Sequence, residues 1–136
     1  MKKWNNFGFT LVEMMIVVII IGVLVGIAIP NYMRSVEVAK CSQAMGVLKN
    51  MRTAALDFFR ENDTFSGMTL AALNTQVGAN FADTRDWTFP EPTVTATTFT
   101  LTATRTGGPN VGTPTITLDE LDVWGGSYPI DDPGGW

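Results

Sequence analysis

The 136-residue chain contains no histidine, so any mechanism that needs an imidazole as base, proton shuttle or zinc ligand is excluded. Its one cysteine, Cys41, excludes an internal disulfide and any multi-cysteine metal site. Charge is scarce as well: 16% of residues are charged against 46% hydrophobic, and the formal net charge is -4. No nucleophile–base pair and no phosphate-cradling loop occurs, so enzyme activity is not expected. The length leaves room for one compact domain, or for a smaller one with an appendage.

The apolar residues are concentrated near the start. From Phe9 to Ile29 only Thr10 and Glu13 interrupt a run of Phe, Leu, Val, Met, Ile, Gly and Ala. About twenty such residues in a helix cross a bilayer core. Lys2 and Lys3 precede the run and Arg34 follows it, which places the short N-terminus in the cytoplasm and the remainder outside. A secretory signal is the plain alternative, but the run exceeds a signal's apolar core and no small-x-small cleavage site follows it. Glu13 also argues for something more specific. A carboxylate at that depth is costly and functional by default, and it needs a partner. A cut between Gly8 and Phe9 would create an amino group one helical turn from Glu13, within pairing reach.

Gly8-Phe9-Thr10-Leu11-Val12-Glu13, with an apolar stretch ending at Ala28-Ile29-Pro30, resembles the prepilin signature of bacterial type IV pilins and the related pseudopilins of type II secretion. The resemblance implies a leader over residues 1–8 that a prepilin peptidase removes after Gly8. It also implies methylation of the Phe9 amine and pairing of Glu13 with that amine on a neighbouring subunit, with Thr10 helping to satisfy the same polar spot. The corresponding stretch around Pro30 is extended in assembled pili of this family.

The helical pattern continues past Pro30. Tyr32, Val36, Ala39, Ala44, Leu48, Met51, Ala55 and Phe58 recur at mostly helical steps, giving one helix over residues 9–60, about 80 Å long. Gly22 and Gly26 form a Gly-x-x-x-Gly pair that either lets helices approach closely or only weakens this one. Pro30 predicts a kink or loosened backbone between residues 22 and 30. Beyond Arg60, residues 68–77 read as a short helix with Leu70, Leu73 and Val77 inward. Val94, Ala96, Phe99, Leu101 and Ala103 alternate with threonines, with a slip at Thr97-Thr98 that fits two strands or one bulged strand. Residues 113–118 resume the pattern, which makes an antiparallel hairpin with a further strand near 122–128. The expected class is α+β, the pilin fold: a long N-terminal helix packed on a small antiparallel sheet. The segments are the leader (1–8), a transmembrane or filament-core helix (9–30), an amphipathic helix (31–60), an αβ-loop (61–88), and a sheet head with C-terminal tail (89–136).

Charge is unevenly divided. Residues 9–60 carry five basic and three acidic side chains, and residues 61–136 carry two basic and ten acidic ones. A basic stem and an acidic head suit contacts between stacked subunits through Lys49 and Arg52, or simply a solvated acidic surface. Asp119, Asp122, Asp131 and Asp132 lie in a Gly/Pro-containing tail, and oxygen-rich loops of that kind take Ca²⁺, although the spacing fits no defined calcium loop. No other cofactor is expected. The resemblance adds that major pseudopilins bind calcium in this region and that many major pilins close it with a disulfide, which this chain cannot form. Nucleic acid is not an expected partner, because there is no basic stripe and the head is acidic. Cys41 reads either as a small buried residue or as a cross-link between subunits.

The leading reading is a major type IV pilin that polymerises from the inner membrane into an extracellular pilus. A pseudopilin forming a short periplasmic filament for secretion or competence is the alternative, and a membrane-anchored binding module that does not polymerise is the third. The implied partners are copies of itself, the prepilin peptidase, an assembly ATPase with its inner-membrane platform, and the membrane before assembly.

Overall fold

A computed structural model describes residues 9–78, 80–81, 83–107 and 114–128. One helix, α1 (Leu11–Asn62, 52 residues), carries the whole stem. At 1.5 Å per residue it is about 78 Å long. It begins two residues later and ends two residues later than the pattern predicts. Thr10 caps its start, and Asp63, in the left-handed region at φ 55, closes its end by donating its N–H to the Phe59 carbonyl at 2.8 Å. Pro30 lies inside α1, and helical structure runs through residues 22–30 without a break.

Burial divides α1 in two. Every residue through Ser35 is exposed, and from Cys41 onward Ala44, Leu48, Met51, Ala54 and Ala55 are buried. Tyr32 and Ala39 were expected on the covered face but are exposed: Tyr32 lies below the head, which reaches down to Val36 and Glu37, and Ala39 lies within the head's span but on the outer face of the helix. A second helix, α2 (Leu70–Val77), is capped by Thr69 and stopped by Gly78 at φ 59. Leu73 is its buried anchor, Leu70 is half-buried, and Val77 is exposed rather than inward, because it occupies the last turn before the cap. The Glu91 carboxylate accepts the Leu70 N–H at 2.7 Å, tying the start of α2 to the sheet region.

The sheet is antiparallel, with strands β1 (Trp87–Thr88), β2 (Thr93–Val94), β3 (Phe99–Arg105), β4 (Thr115–Asp119) and β5 (Trp124–Gly126). The order is β1-β3-β4-β5, and β2 also pairs with β3, further along the same side as β1. Pro90 and Pro92 fall between β1 and β2, where the missing N–H groups interrupt the ladder. The slip at Thr97-Thr98 is a turn between β2 and β3, closed by the Thr95 N–H donating to the Thr98 carbonyl at 2.9 Å. The β3–β4 hairpin pairs Leu101 with Leu118 and Ala103 with Ile116 on the inner face, and Thr102 with Thr117 on the outer. This alternation covers α1 with Phe99, Leu101, Ala103, Ile116 and Leu118, each within 1% of full burial. Each fully buried large aliphatic side chain contributes about 1.5–3 kcal/mol. Phe59, Phe65 and Phe99 continue the core as a ring chain with centroids 4.6 and 4.9 Å apart.

Gly126 sits at φ 107 with no space for a Cβ against the Thr115 carbonyl, so only glycine fits there.

Candidate functional site: the stem terminus and the head–stem junction

Glu13 and Thr10 form a reciprocal cap at the start of α1. The Thr10 N–H and hydroxyl both donate to Glu13 Oε2 at 2.8 Å, and the Glu13 N–H donates to Thr10 Oγ1 at 3.2 Å. This is the Thr-x-x-Glu capping box, which satisfies two orphan helix donors with one pair of side chains. A carboxylate offers about four acceptor positions, so Glu13 can keep this cap and still accept from an amine. The resemblance implied that Thr10 helps satisfy the polar spot at Glu13; within the subunit Thr10 bonds to Glu13 directly. Phe9 precedes the cap and is 80% exposed. Gly8 lies outside the described residues.

The surface above this cap is wholly apolar and uncovered. α1 is long and apolar enough to cross a membrane, and none of that apolar window is buried within the subunit. Gly22 and Gly26 stand in this window with nothing within 4 Å of where a Cβ would be, so each leaves a notch in the helix surface.

Midway along the stem, where the head begins, the sequence reading missed a charged cluster. Arg105 is 1% exposed and donates through one terminal nitrogen to both Glu37 oxygens, at 3.0 and 2.9 Å. Its other terminal nitrogen lies 3.6 Å from Asp86 Oδ1, and its guanidinium faces the Trp87 ring at 5.3 Å. Lys40 bridges the same two acids, 3.4 Å from Glu37 and 3.1 Å from Asp86. The Tyr128 hydroxyl donates to Glu37 at 3.4 Å, and its ring packs edge-on against Trp87 at 5.2 Å. Burial, reinforced by the Glu37 carboxylate, pushes the Tyr128 phenol up to about 12. Burial also pushes the Cys41 thiol up, against the opposing charge of Arg105. One signal was available: Arg105 follows Phe99, Leu101 and Ala103 in the inward register of β3, and a charge in that register needs a buried partner.

A second polar anchor closes the far end of the sheet. Arg52 donates to the main-chain oxygens of Asp119 and Glu120 at 3.3 and 2.8 Å, and lies 4.0 Å from Asp122. Lys49 sits over the Trp124 ring at 5.8 Å. Lys49 and Arg52, read either as reaching a neighbour's head or as part of a solvated charge distribution, engage the head of their own subunit. Asp119 Oδ1 accepts the N–H groups of Leu121 and Val123 at 3.0 and 2.8 Å and so folds the loop that Arg52 holds. Among the described residues no group of three possible metal ligands comes together. Of the calcium candidates, Asp119 is engaged as a loop-former, Asp122 faces Arg52, and Asp131 and Asp132 lie outside the described residues.

Comparison with known proteins agrees with this geometry. Residues 5–29 match the family model described as "Prokaryotic N-terminal methylation motif". Residues 30–113, more than half of the chain, match the model described as "Type IV minor pilin ComP, DNA uptake sequence receptor". The chain belongs to the type IV pilin family.

Among curated relatives, this pilin is 50% identical over 62 residues to the "Type IV major pilin protein PilA" of Myxococcus xanthus, covering 46% of this chain and 28% of that one. It is 43% identical over 75 residues to the "Type IV major fimbrial protein FimA" of Dichelobacter nodosus, covering 52% and 48%. It is 38% identical over 60 residues to the "Type II secretion system core protein G" of Pseudomonas aeruginosa, covering 44% and 42%. The pilin thus spans less than half the length of each of these relatives. No solved structure matches it. The family is structural rather than enzymatic, and the apolar stem fits a membrane-anchored precursor that passes into a pilus.

Proposed function

We propose that this pilin is the structural subunit, as a major pilin, of an extracellular type IV pilus. The observation that carries the reading is the combination at the stem: an apolar helix surface left entirely uncovered, opening on a carboxylate already held in position by Thr10. In the bilayer, lipid covers that surface. In a filament, other copies of the same helix replace the lipid, and Glu13 accepts the Phe9 amine of a neighbour after the peptidase has cut behind Gly8 and the amine has been methylated. The N-terminus faces the cytoplasm before assembly. An assembly ATPase and its inner-membrane platform move the subunit from bilayer to fibre. The high identities to major pilins support this reading.

Likeness to a type II secretion core protein supports a second reading, a pseudopilin of a short periplasmic filament. Electron microscopy of material sheared from expressing cells, with mass spectrometry of its N-terminus, separates the two. Long fibres that begin at methylated Phe9 are expected, and processed protein confined to membrane and periplasm would refute the major-pilin reading.

The DNA uptake named in the family model is not carried over. Lys40 and Arg105 are paired with Glu37 and Asp86, Arg52 holds a loop, and Lys49 covers Trp124, which supports a head without a basic face for phosphates. Salt-dependent retention of the fibre on DNA would overturn that exclusion. The proposed reading also has no resident metal, and thermal stabilisation by Ca²⁺ beyond that given by Mg²⁺ would overturn that.

A further inference from the structure

The apolar contact between stem and head repeats along the helix. Cys41, Leu48 and Ala55 are spaced by seven residues, as are Ala44 and Met51, and all five are buried. A stripe with that period presents a similar surface after a slide of about one or two helical turns, so apolar packing by itself specifies the height of the head poorly. Two polar contacts break the repetition. Glu37 meets Arg105 at one end of the stripe, and Arg52 meets the Asp119–Glu120 main chain at the other. These helix positions are about 22 Å apart at 1.5 Å per residue.

The lower contact is the more demanding. Replacing a buried ion pair by well-packed apolar residues is often neutral or stabilising, whereas stranding one partner is strongly destabilising. The energy of such a pair is therefore steep in register: a slide of one turn toward Cys41 would take Arg105 from Glu37 and set it against the like charge of Lys40 and the apolar side of Cys41. The surroundings are built to hold the pair in place. Lys40 and Asp86 complete a charge-balanced set, Tyr128 adds a donor to Glu37, and Trp87 covers the guanidinium.

We propose that Arg105, through Glu37, is a positioning residue for assembly that fixes how high the head sits on the stem. The inference rests on the filament reading. Glu13 pairing sets the axial offset between neighbouring stems, and heads stack with that same offset only if each is held at one height on its own helix.

The register can be read without any fibre. In the full chain in detergent, with Cys41→Ala, spin labels at Gln43→Cys on the stem and Thr97→Cys at the exposed β2–β3 turn report the head's height by electron paramagnetic resonance distance measurement. The parent should give one narrow distance. Arg105→Met should add a population displaced by about 5 Å, one helical turn. Arg105→Lys, which keeps the positive charge that a single nitrogen brings to Glu37, should restore the single distance. In cells, Arg105→Met should lose surface fibres and Arg105→Lys should regain them. An unchanged distance distribution in Arg105→Met overturns the proposal, whatever happens to fibre yield. If Arg105→Met does not fold, Glu37→Gln is read in the same way, and an unchanged distribution there overturns it too. A displaced head in a protein whose parent forms no fibre supports the lock and refutes the filament reading instead.

Discussion

The Arg52 guanidinium, on the stem helix, donates at 2.8 Å to the main-chain oxygen of Glu120, a residue 68 positions further along the chain. With its second bond to Asp119, it ties the loop after β4 to α1 where a chain with a single cysteine cannot form a cross-link. Arg52→Met should therefore lower the stability of the isolated subunit by about 1.5–3 kcal/mol, the range for hydrogen bonds to a charged group. Thermal unfolding in detergent checks this. A loss seen only in fibre yield, with the melting temperature unchanged, would return Arg52 to the contact between subunits.

Tyr128 gives the head an alkaline limit. Its phenol is pushed up to about 12, from 10.0, by burial first and then by the Glu37 carboxylate. The folded state favours the protonated form, so this stability is fully present below pH about 10 and is lost as pH rises through about 12. In a Tyr32→Phe background, phenolate absorbance should rise together with unfolding in that window. Ionisation near pH 10 with the head still folded would show that Tyr128 does not hold Glu37 in this way.

Cys41 is 2% exposed and its thiol is pushed up by burial, so the thiolate that reacts with disulfides and maleimides is scarce and shielded. A thiol reagent should leave the folded subunit unmodified at neutral pH and label it fully in denaturant. Fibres should contain no dimers linked through Cys41. Rapid labelling of native protein, or a dimer that a reducing agent dissolves, would contradict the packing.

Glu13→Gln and Glu13→Ala should part company. Glutamine can still close the capping box with Thr10, because its side-chain oxygen accepts as the carboxylate does. It carries no charge for an amine. Both variants should be cut after Gly8 and both should yield few fibres, while only Glu13→Ala should also fray the start of α1, read as faster amide exchange at Leu11 to Met14. Normal piliation by Glu13→Gln would show that acceptance, not charge, is what a neighbour requires.

The parts of this molecule that were legible in sequence are those where one periodicity acts alone. The apolar run from Phe9 needs no tertiary context, and the threonine alternation of residues 99–105 gave the inner face of β3 correctly, including its slip. The capping box of Thr10 and Glu13 is local and could have been read from the Thr-x-x-Glu spacing, although the resemblance alone had put the two residues together. Contacts between distant segments were not legible. Arg105 and Glu37 are 68 residues apart, and nothing in either neighbourhood names the other. The partners of Lys49 and Arg52 stayed open because a basic stem and an acidic head attract equally well within one subunit and between two. Tyr32 fits the helical stripe, and only the length of the head decided that it stays uncovered; Ala39 lies within the head's span on the face turned away from it.

Pro90 and Pro92 have a consequence beyond interrupting one ladder. A subunit that stands beside many copies of itself brings sheet edges together at very high local concentration, and a free edge invites strand addition without a limit. Here one flank is a broken strand with two missing donors, and the other is the three-residue β5, which ends in glycines. Among the described residues neither flank offers a length of backbone that another copy could extend, which suits the proposed assembly through the helices. Replacing both prolines with threonine should make heads associate in irregular, dye-binding aggregates rather than in fibres, which turbidity and amyloid-dye fluorescence would reveal.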